Sequence, residues 1–339
     1  MDDGRALTTL PPRFAAWFEA RGWAPRAHQL AMVEKARAGR HALLIAPTGG
    51  GKTLAGFLPS LIELAERPPS NAPRGIHTLY LSPLKALAVD VERNLMTPIA
   101  EMGLPIKAES RTGDTGVARR QRQRVKPPDM LLTTPEQLAL FCAWEGARRY
   151  FEDLSCVIID EVHATWPSKR GDLLALGLAR LQQFAPKLRR VGLSATVDDP
   201  DVIRRWLTPT TEDDVDLVRG AAGAPPLVDV LLSEGGVPWA GHTAQHAMPE
   251  VYEAIKRARI ALVFVNTRFQ AEFAFQELWR LNDDNLPIAL HHGSLSAEQR
   301  RKVEAAMARG ALRAVVCTST LDLGIDWGDV DLVIQLASP

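Results

Sequence analysis

The stretch Ala46 to Thr53, A-P-T-G-G-G-K-T, limits what this chain can fold into more than any other. Before it comes the short apolar run Ala42 to Ala46, the profile of a strand buried on both faces of a parallel sheet. After it, Leu54, Phe57, Leu58, Leu61 and Ala65 fall at helical spacing, with Pro59 inside the pattern and expected to kink it. Between a strand and a helix, three successive glycines let backbone N–H groups wrap a polyphosphate at the helix N-terminus. Thr48, Gly49, Gly50 and Gly51 would form that cradle, Lys52 would reach the β- and γ-phosphates, and Thr53 would offer its hydroxyl to Mg²⁺. Ala46 stands where the general pattern has glycine.

A chain of 339 residues has room for about two domains with a core each. Its 40 basic and 40 acidic side chains cancel, so a polyanion would have to be held by a local groove and not by the field of the whole molecule. Cys142, Cys156 and Cys317 lie far apart without C-x-x-C spacing, which argues against a disulfide framework or a cysteine metal site and suits a reducing cytoplasm. No basic-then-apolar leader opens the sequence and no apolar run is long enough to span a bilayer, so neither secretion nor a membrane is expected.

In chain order, Phe14, Trp17 and Phe18 form an aromatic stripe that reads as core. Arg26 and Gln29 lie some twenty residues before the glycine loop, where the amide of Gln29 could match an adenine edge and the guanidinium of Arg26 could stack on its ring; a plain helix start explains them as well. Strand–helix rhythm then continues: a strand at His77–Leu81 followed by Lys85, a short strand followed by Arg111, Thr112 and Gly113, and Leu131–Thr133 followed by Thr134. Small hydroxyl residues at such strand ends either cap helices or bind phosphates in the crevice of an open α/β sheet. The basic run Arg119, Arg120, Arg122, Arg124 and Lys126 reads as a solvated helix face, with nucleic-acid contact as the sharper alternative. Cys156 to Ile159 is a second buried strand, and it ends in Asp160 and Glu161 with His163 beyond. This resembles a Walker B element, in which Asp160 holds Mg²⁺ together with Thr53 and Glu161 polarises the attacking water. Ser194-Ala195-Thr196 closes a further strand.

Taken in order, A-P-T-G-G-G-K-T, P-L-K-A-L, T-G-D, T-T-P-E, D-E-V-H and S-A-T resemble the first motor lobe of a superfamily-two DEXH-box helicase. Leu262–Arg268, His291–Ser296 and Cys317–Trp327 resemble the second. Ser168-Lys169-Arg170-Gly171, Trp239–Thr243 and Gly324–Gly328 point to the large helicase-related (Lhr) family, in its bacterial ligase-associated branch. That resemblance implies ATP with Mg²⁺, catalytic work by Lys52, Glu161 and His163, and coupling of nucleotide state to lobe movement through His163, Ser194 and Thr196. It implies approach of Gly324 and Asp326 to the nucleotide, and a DNA grip from Lys85, Thr112, Gly113, Thr134, Asn266, Arg268, Gly293, Ser294, Thr318 and Ser319. Trp166 reads either as a base-stacking group or as core.

The expected fold is α/β, with two RecA-like lobes built on mostly parallel sheets: residues 1–210, a linker at 211–248, and 249–339. The family's next motif, Q-x-x-G-R-x-G-R, has no match, so the second lobe is expected to be incomplete. The expected function is an ATP-dependent 3′-to-5′ DNA translocase or helicase on single-stranded or tailed duplex DNA, in repair and at the nucleoid, with ligase-associated repair proteins as implied partners. The alternatives are a nucleotide- and DNA-binding fragment without coupled hydrolysis, and an RNA helicase.

Overall fold

A computed structural model describes residues 10–68, 74–83, 85–210, 214–222, 227–231, 244–318, 321 and 330–336. The chain divides into two compact units, Met1–Pro225 and Pro226–Pro339. The first holds strands β1 (His41–Ile45), β2 (Thr78–Leu81), β3 (Ala108–Ser110), β4 (Met130–Thr133), β5 (Cys156–Ile159), β6 (Arg189–Ser194) and β7 (Val215–Arg219). They form one sheet in the order β3-β4-β2-β5-β6-β1-β7, and every pairing is parallel.

Continuous apolar runs become central strands here because helices cover both faces. Alternate residues of one strand then enter different cores. Ala42 and Leu44 join one cluster with Tyr80, Ile158 and Leu193, while Leu43 between them joins the other with Leu79, Leu131 and Val157. Helices α1 (Pro12–Ala20), α2 (Ala27–Arg37), α3 (Lys52–Glu66) and α4 (Lys85–Glu101) bring side chains to the first cluster, among them the stripe Phe14, Trp17 and Phe18. On the second face lie α6 (Pro135–Cys142), α7 (Ala147–Phe151) and α9 (Lys169–Phe184). Three more helices are described in this unit: α5 (Val117–Val125), α8 (Val162–Thr165) and α10 (Pro200–Leu207). Leu43 and Leu44 are both fully buried, each contributing about 1.5–3 kcal/mol of transfer free energy.

Strand β7 corrects the sequence reading, which placed these residues in the linker 211–248. Val215–Arg219 pairs along its length with β1, and the first unit runs to Pro225. The mixed charge that disguised it has a local cause. Asp216 lies 3.0 Å from Lys35 Nζ and 3.0 Å from an Arg40 guanidinium nitrogen, at the edge of the sheet.

The second unit repeats the plan with β8 (Ala261–Phe264), β9 (Ile288–His291), β10 (Ala314–Cys317) and β11 (Leu332–Gln335), parallel and ordered β11-β8-β10-β9. Its helices are α11 (Met248–Arg257), α12 (Arg268–Arg280) and α13 (Ala297–Ala308). Thr267 caps α12 and Ser296 caps α13, each in a reciprocal box with a glutamine three residues on, Gln270 and Gln299. At the centre, all four residues of β10 are buried without exposure.

Candidate nucleotide site and strand-end loops

The glycine loop joins β1 to α3 through two left-handed residues, Gly49 (φ +71) and Gly51 (φ +73), a conformation that suits glycine. Its start is pinned from behind: the Ala46 amide donates to the Ser194 carbonyl over 3.1 Å, and Gly50 N–H donates to the Pro47 carbonyl over 2.9 Å. A Cβ on Gly50 would lie 2.6 Å from the Pro47 oxygen, and one on Gly51 would lie 2.9 Å from Gln29 Nε2. Glycine is therefore demanded by space as well as by backbone angle. Gln29 is buried, accepts from the Arg26 amide at 2.9 Å, and points Nε2 toward the Gly51 carbonyl at 3.5 Å. The structure thus brings Arg26 and Gln29 to the loop. Thr48 and Gly49 are exposed on its outside, and Thr53 is half-buried in the first turn of α3.

Strand β5 delivers the carboxylates beside this loop, separated from β1 by β6 alone. Asp160 is buried, accepts a hydrogen bond from the Tyr80 hydroxyl, and accepts another from the Glu161 amide over 3.0 Å. Burial and the neighbouring Glu161 charge push its carboxyl up to about 6, against the pull of Tyr80, the Glu161 amide and Lys52. Glu161 is raised by burial and drawn back by Lys52. Its backbone is left-handed (φ 45, ψ 49), a cost accepted at a residue that is not glycine and concentrated where function needs an unusual direction. Lys52 is itself buried, so one cation faces two carboxylates out of water. His163 lies 3.4 Å from Glu161 and 2.7 Å from Ser194 Oγ, and Ser194 donates to the Thr196 carbonyl over 2.9 Å. Burial and the Lys52 charge lower the His163 imidazole, opposed by Asp160. These contacts join the ends of β5 and β6 through one imidazole.

This donor set suits Mg²⁺. It offers hard oxygens, a carboxylate and a hydroxyl, without a closed cage, as expected of an ion that keeps water and phosphate ligands. Among the described residues no group of three or more His, Cys, Asp or Glu could hold a metal by itself.

The remaining strand ends carry the candidate polymer contacts. Lys85 is the first residue of α4 after β2, and buried Thr134 is the N-cap of α6 after β4. Thr112 and Gly113 follow β3 in a tight turn: Thr112 N–H donates to Thr115 Oγ1 over 2.9 Å, and Arg120 donates to both their carbonyls. The basic run is therefore largely engaged within the unit. Arg122 lies 2.6 Å from Glu109, Arg119 pairs with Glu92 at 3.3 Å, and Arg124 covers the Trp144 ring at 5.0 Å. Trp166 is half-buried against the second-face cluster, so the core reading accounts for much of its ring. In the second unit, Asn266 follows β8, Gly293 and Ser294 follow β9, and buried Thr318 follows β10. Arg268 at the start of α12 donates to Ser294 Oγ, which brings the ends of β8 and β9 together across β10. Ser319, Gly324 and Asp326 lie outside the described residues.

Tyr80 was missed by sequence reasoning, although a tyrosine inside a fully buried strand must find a partner for its hydroxyl.

A family profile described as DEAD/DEAH box helicase matches residues 26–204, and one described as Helicase conserved C-terminal domain matches residues 245–339. An Lhr helicase/probable uracil glycosylase of Mycolicibacterium smegmatis is 38% identical over 96% of this chain and 25% of its own length. The ATP-dependent helicase Lhr-Core of Sulfolobus acidocaldarius is 33% identical over 99% of this chain and 40% of its own. The chain thus spans a quarter to two fifths of the length of these curated relatives. Among solved structures, Mycobacterium smegmatis helicase Lhr bound to ssDNA and AMP-PNP superposes with a TM-score of 0.79 at 38% identity, covering 97% of this chain and 44% of that one. No helix among the described residues is long and apolar enough to cross a membrane.

Proposed function

The chain belongs to the DEAD/DEAH box helicase family, and from that premise we propose that it is the two-lobed motor of an ATP-driven, single-stranded-DNA translocase. Residues 1–225 form its ATP-binding lobe in this reading, and the second lobe begins near residue 245. The observation that carries the proposal is the meeting of buried Lys52, Asp160 and Glu161 at adjoining strand ends, with His163 bridging from Glu161 to Ser194. A solved Lhr helicase with both ssDNA and AMP-PNP bound supports the choice of ligands.

In the proposed mechanism, Gln29 and Arg26 take the base, and the amides of residues 48–51 with Lys52 hold the phosphates. Mg²⁺, when bound by Asp160 and Thr53, offsets phosphate charge. Glu161 orients the attacking water and accepts its proton, for which a carboxylate raised by burial is suited. His163 and Ser194 pass the state of that site to the neighbouring strand end with Thr196, and Gly324 and Asp326 approach the nucleotide. Lys85, Thr112, Gly113, Thr134, Asn266, Arg268, Gly293, Ser294, Thr318 and Ser319 grip the strand backbone, and the exposed part of Trp166 is kept as a stacking contact. Direction 3′ to 5′, a role in DNA repair beside ligase-associated proteins, and a place at the nucleoid rest on the sequence resemblance to the ligase-associated branch.

The test is single-turnover ATP hydrolysis with no effector, with mixed-sequence and homopolymer single-stranded DNA, and with RNA of the same length, at several ionic strengths. DNA stimulation that is blind to base sequence and weakens steeply with salt is expected, because contacts to backbone phosphate release counterions. Stimulation by RNA alone overturns the choice of polymer, and nucleotide binding with no stimulation by either overturns the motor.

A further inference from the structure

The motif Ser168-Lys169-Arg170-Gly171 takes no part in the nucleotide or strand-end chemistry above, yet its arginine spans two of the strand-end loops. Arg170 Nε donates to Glu136 Oε1 over 2.6 Å, and Arg170 Nη2 donates to the Pro83 carbonyl over 2.8 Å. Pro83 is buried two residues ahead of Lys85 in the loop after β2. Glu136 sits in the first turn of α6, two residues past the N-cap Thr134, and against the raising effect of burial the Arg170 bond holds its carboxyl below the ordinary carboxylate range. One planar fork thus ties the approach to Lys85 on one side to the first turn of α6, which begins at the N-cap Thr134, on the other.

The other end of this link is equally short. Arg170 is the second residue of α9, whose first turn is closed by Ser168, which accepts from Gly171 N–H over 3.3 Å. Ser168 is in turn docked on Thr165, the last residue of α8: both its amide and its hydroxyl donate to the Thr165 carbonyl. A Cβ on Gly171 would lie 2.8 Å from that same oxygen, so α9 meets α8 at a distance only glycine permits. Helix α8 starts immediately after Glu161 and contains His163. A path of close contacts therefore runs from the carboxylates to the loops after β2 and β4.

Stability is a poor explanation for the fork. The Arg170 and Glu136 side chains are 43% and 49% exposed, and pairs so exposed contribute about 0–1 kcal/mol. Holding geometry is the better account, since a bond to the carbonyl of buried Pro83 and a bond to the first turn of α6 fix direction and not merely proximity.

We propose that Arg170 is a positioning residue for the DNA grip, presetting the loops of Lys85 and Thr134 and linking them to the segment that carries Glu161 and His163. This rests on the reading of those loops as strand contacts. The experiment is DNA-stimulated ATP hydrolysis by the whole protein carrying Arg170→Ala, Arg170→Lys, Glu136→Gln, or Arg170→Ala with Glu136→Gln. The half-saturating concentration of single-stranded DNA should rise about 3- to 30-fold in Arg170→Ala and in Glu136→Gln, the scale of coupling residues outside a ligand site. Arg170→Lys, which can keep one of the two bonds, should fall between. The double variant should be no worse than the poorer single one, because both remove the same link. The rate without DNA, the KM for ATP and the thermal melt should stay within about twofold or a few degrees of the unaltered protein, a split that general loosening of the fold would not give.

Two results overturn the proposal. If Arg170→Ala weakens DNA while Glu136→Gln does not, the guanidinium contacts the strand itself. If DNA stimulation survives Arg170→Ala unchanged, the fork is a surface ion pair only. Absence of stimulation in the unaltered protein is a different result and removes the parent reading.

Discussion

Gly220→Ala tests whether β7 is part of the nucleotide site. Gly220 immediately follows that strand, and its amide donates to the Ile45 carbonyl over 2.8 Å. Its φ lies outside the left-handed region, so alanine meets no backbone penalty and any effect is one of space. A Cβ there would lie 2.6 Å from Ala46 Cβ and 3.3 Å from both Ala46 Cα and His28 Nδ1. Ordinary contact begins near 3.4 Å, so about 0.8 Å must be found, and the nearest atoms are a backbone-bound methyl and not the end of a flexible chain. Ala46 is itself 1% exposed and hydrogen-bonded to Ser194, so the shift passes into the first residue of the phosphate loop. Overpacking of this kind costs about 1–3 kcal/mol, and displacement near 1 Å at a reacting site costs up to about 10²-fold in rate. The expected outcome is an ATP half-saturation or turnover worse by about tenfold or more, with nucleotide-free binding of single-stranded DNA unchanged. Gly56→Ala is the control, because its close contact at 2.9 Å is Leu193 Cδ1, which can rotate away. The assays are a titration with a fluorescent ATP analogue, single-turnover hydrolysis and a thermal melt. Kinetics and melting equal to the unaltered protein in Gly220→Ala would refute the claim that β7 buttresses the loop.

Glu161→Gln should bind ATP with near-normal affinity and hydrolyse it at least about a hundredfold more slowly, read by single-turnover kinetics; normal hydrolysis would remove Glu161 from its role. Tyr80→Phe leaves the buried Asp160 carboxylate short of a donor, so the melt of the nucleotide-free protein at pH 8 should fall by the equivalent of about 1–3 kcal/mol, and an unchanged melt would deny the hydrogen bond. His77, 6% exposed, is held down to about 4 by burial and by the charges of Arg67 and Arg189, so the folded imidazole is neutral where the unfolded one begins to protonate. Its stabilising share is complete above pH 6.5 and lost as pH falls toward 4, a span of roughly 2.5 units or about 3 kcal/mol. Melting of His77→Gln should therefore depend less steeply on pH than the unaltered protein between 6.5 and 4, with Glu63 in place in both; identical slopes would contradict the burial of a neutral His77.

What could be read from the sequence was governed by burial on two faces. Strands β1, β2, β4 and β5 are covered above and below, so each is a short run dominated by apolar residues that stands out without its neighbours. The glycine loop and the carboxylate pair adjoin such runs, which is why both were legible. Strand β7 was not, because an edge strand needs only one apolar face, and its outward Asp216 answers to Lys35 and Arg40, more than 170 residues away in sequence. The basic run of α5 could not be judged alone either, since Glu109, which pairs with both Arg119 and Arg122, belongs to strand β3. Tyr80 gave the one usable hint, a polar group in a strand with no exposure.

The order of the first sheet sorts these functions. The ends of β5, β6 and β1 carry the carboxylates, Ser194 and the phosphate loop, while the ends of β3, β4 and β2 carry the proposed strand contacts. The border falls between β2 and β5, where Tyr80 stands opposite Ile158 in register. Among the described residues, side-chain links cross it at the Tyr80 hydroxyl on Asp160, and at the Arg170 guanidinium on the Pro83 carbonyl and on Glu136. The first is under electrostatic load, because Asp160 is buried beside Glu161 and its ionised form is disfavoured until a cation offsets it. A cation held by Asp160 would relieve that load and weaken its demand on Tyr80, and Tyr80 lies on the strand that leads into the loop of Pro83 and Lys85. In the proposed reading, a charge change at Asp160 would thus have two hydrogen-bonded links to the loops proposed to hold the strand, both within the first unit.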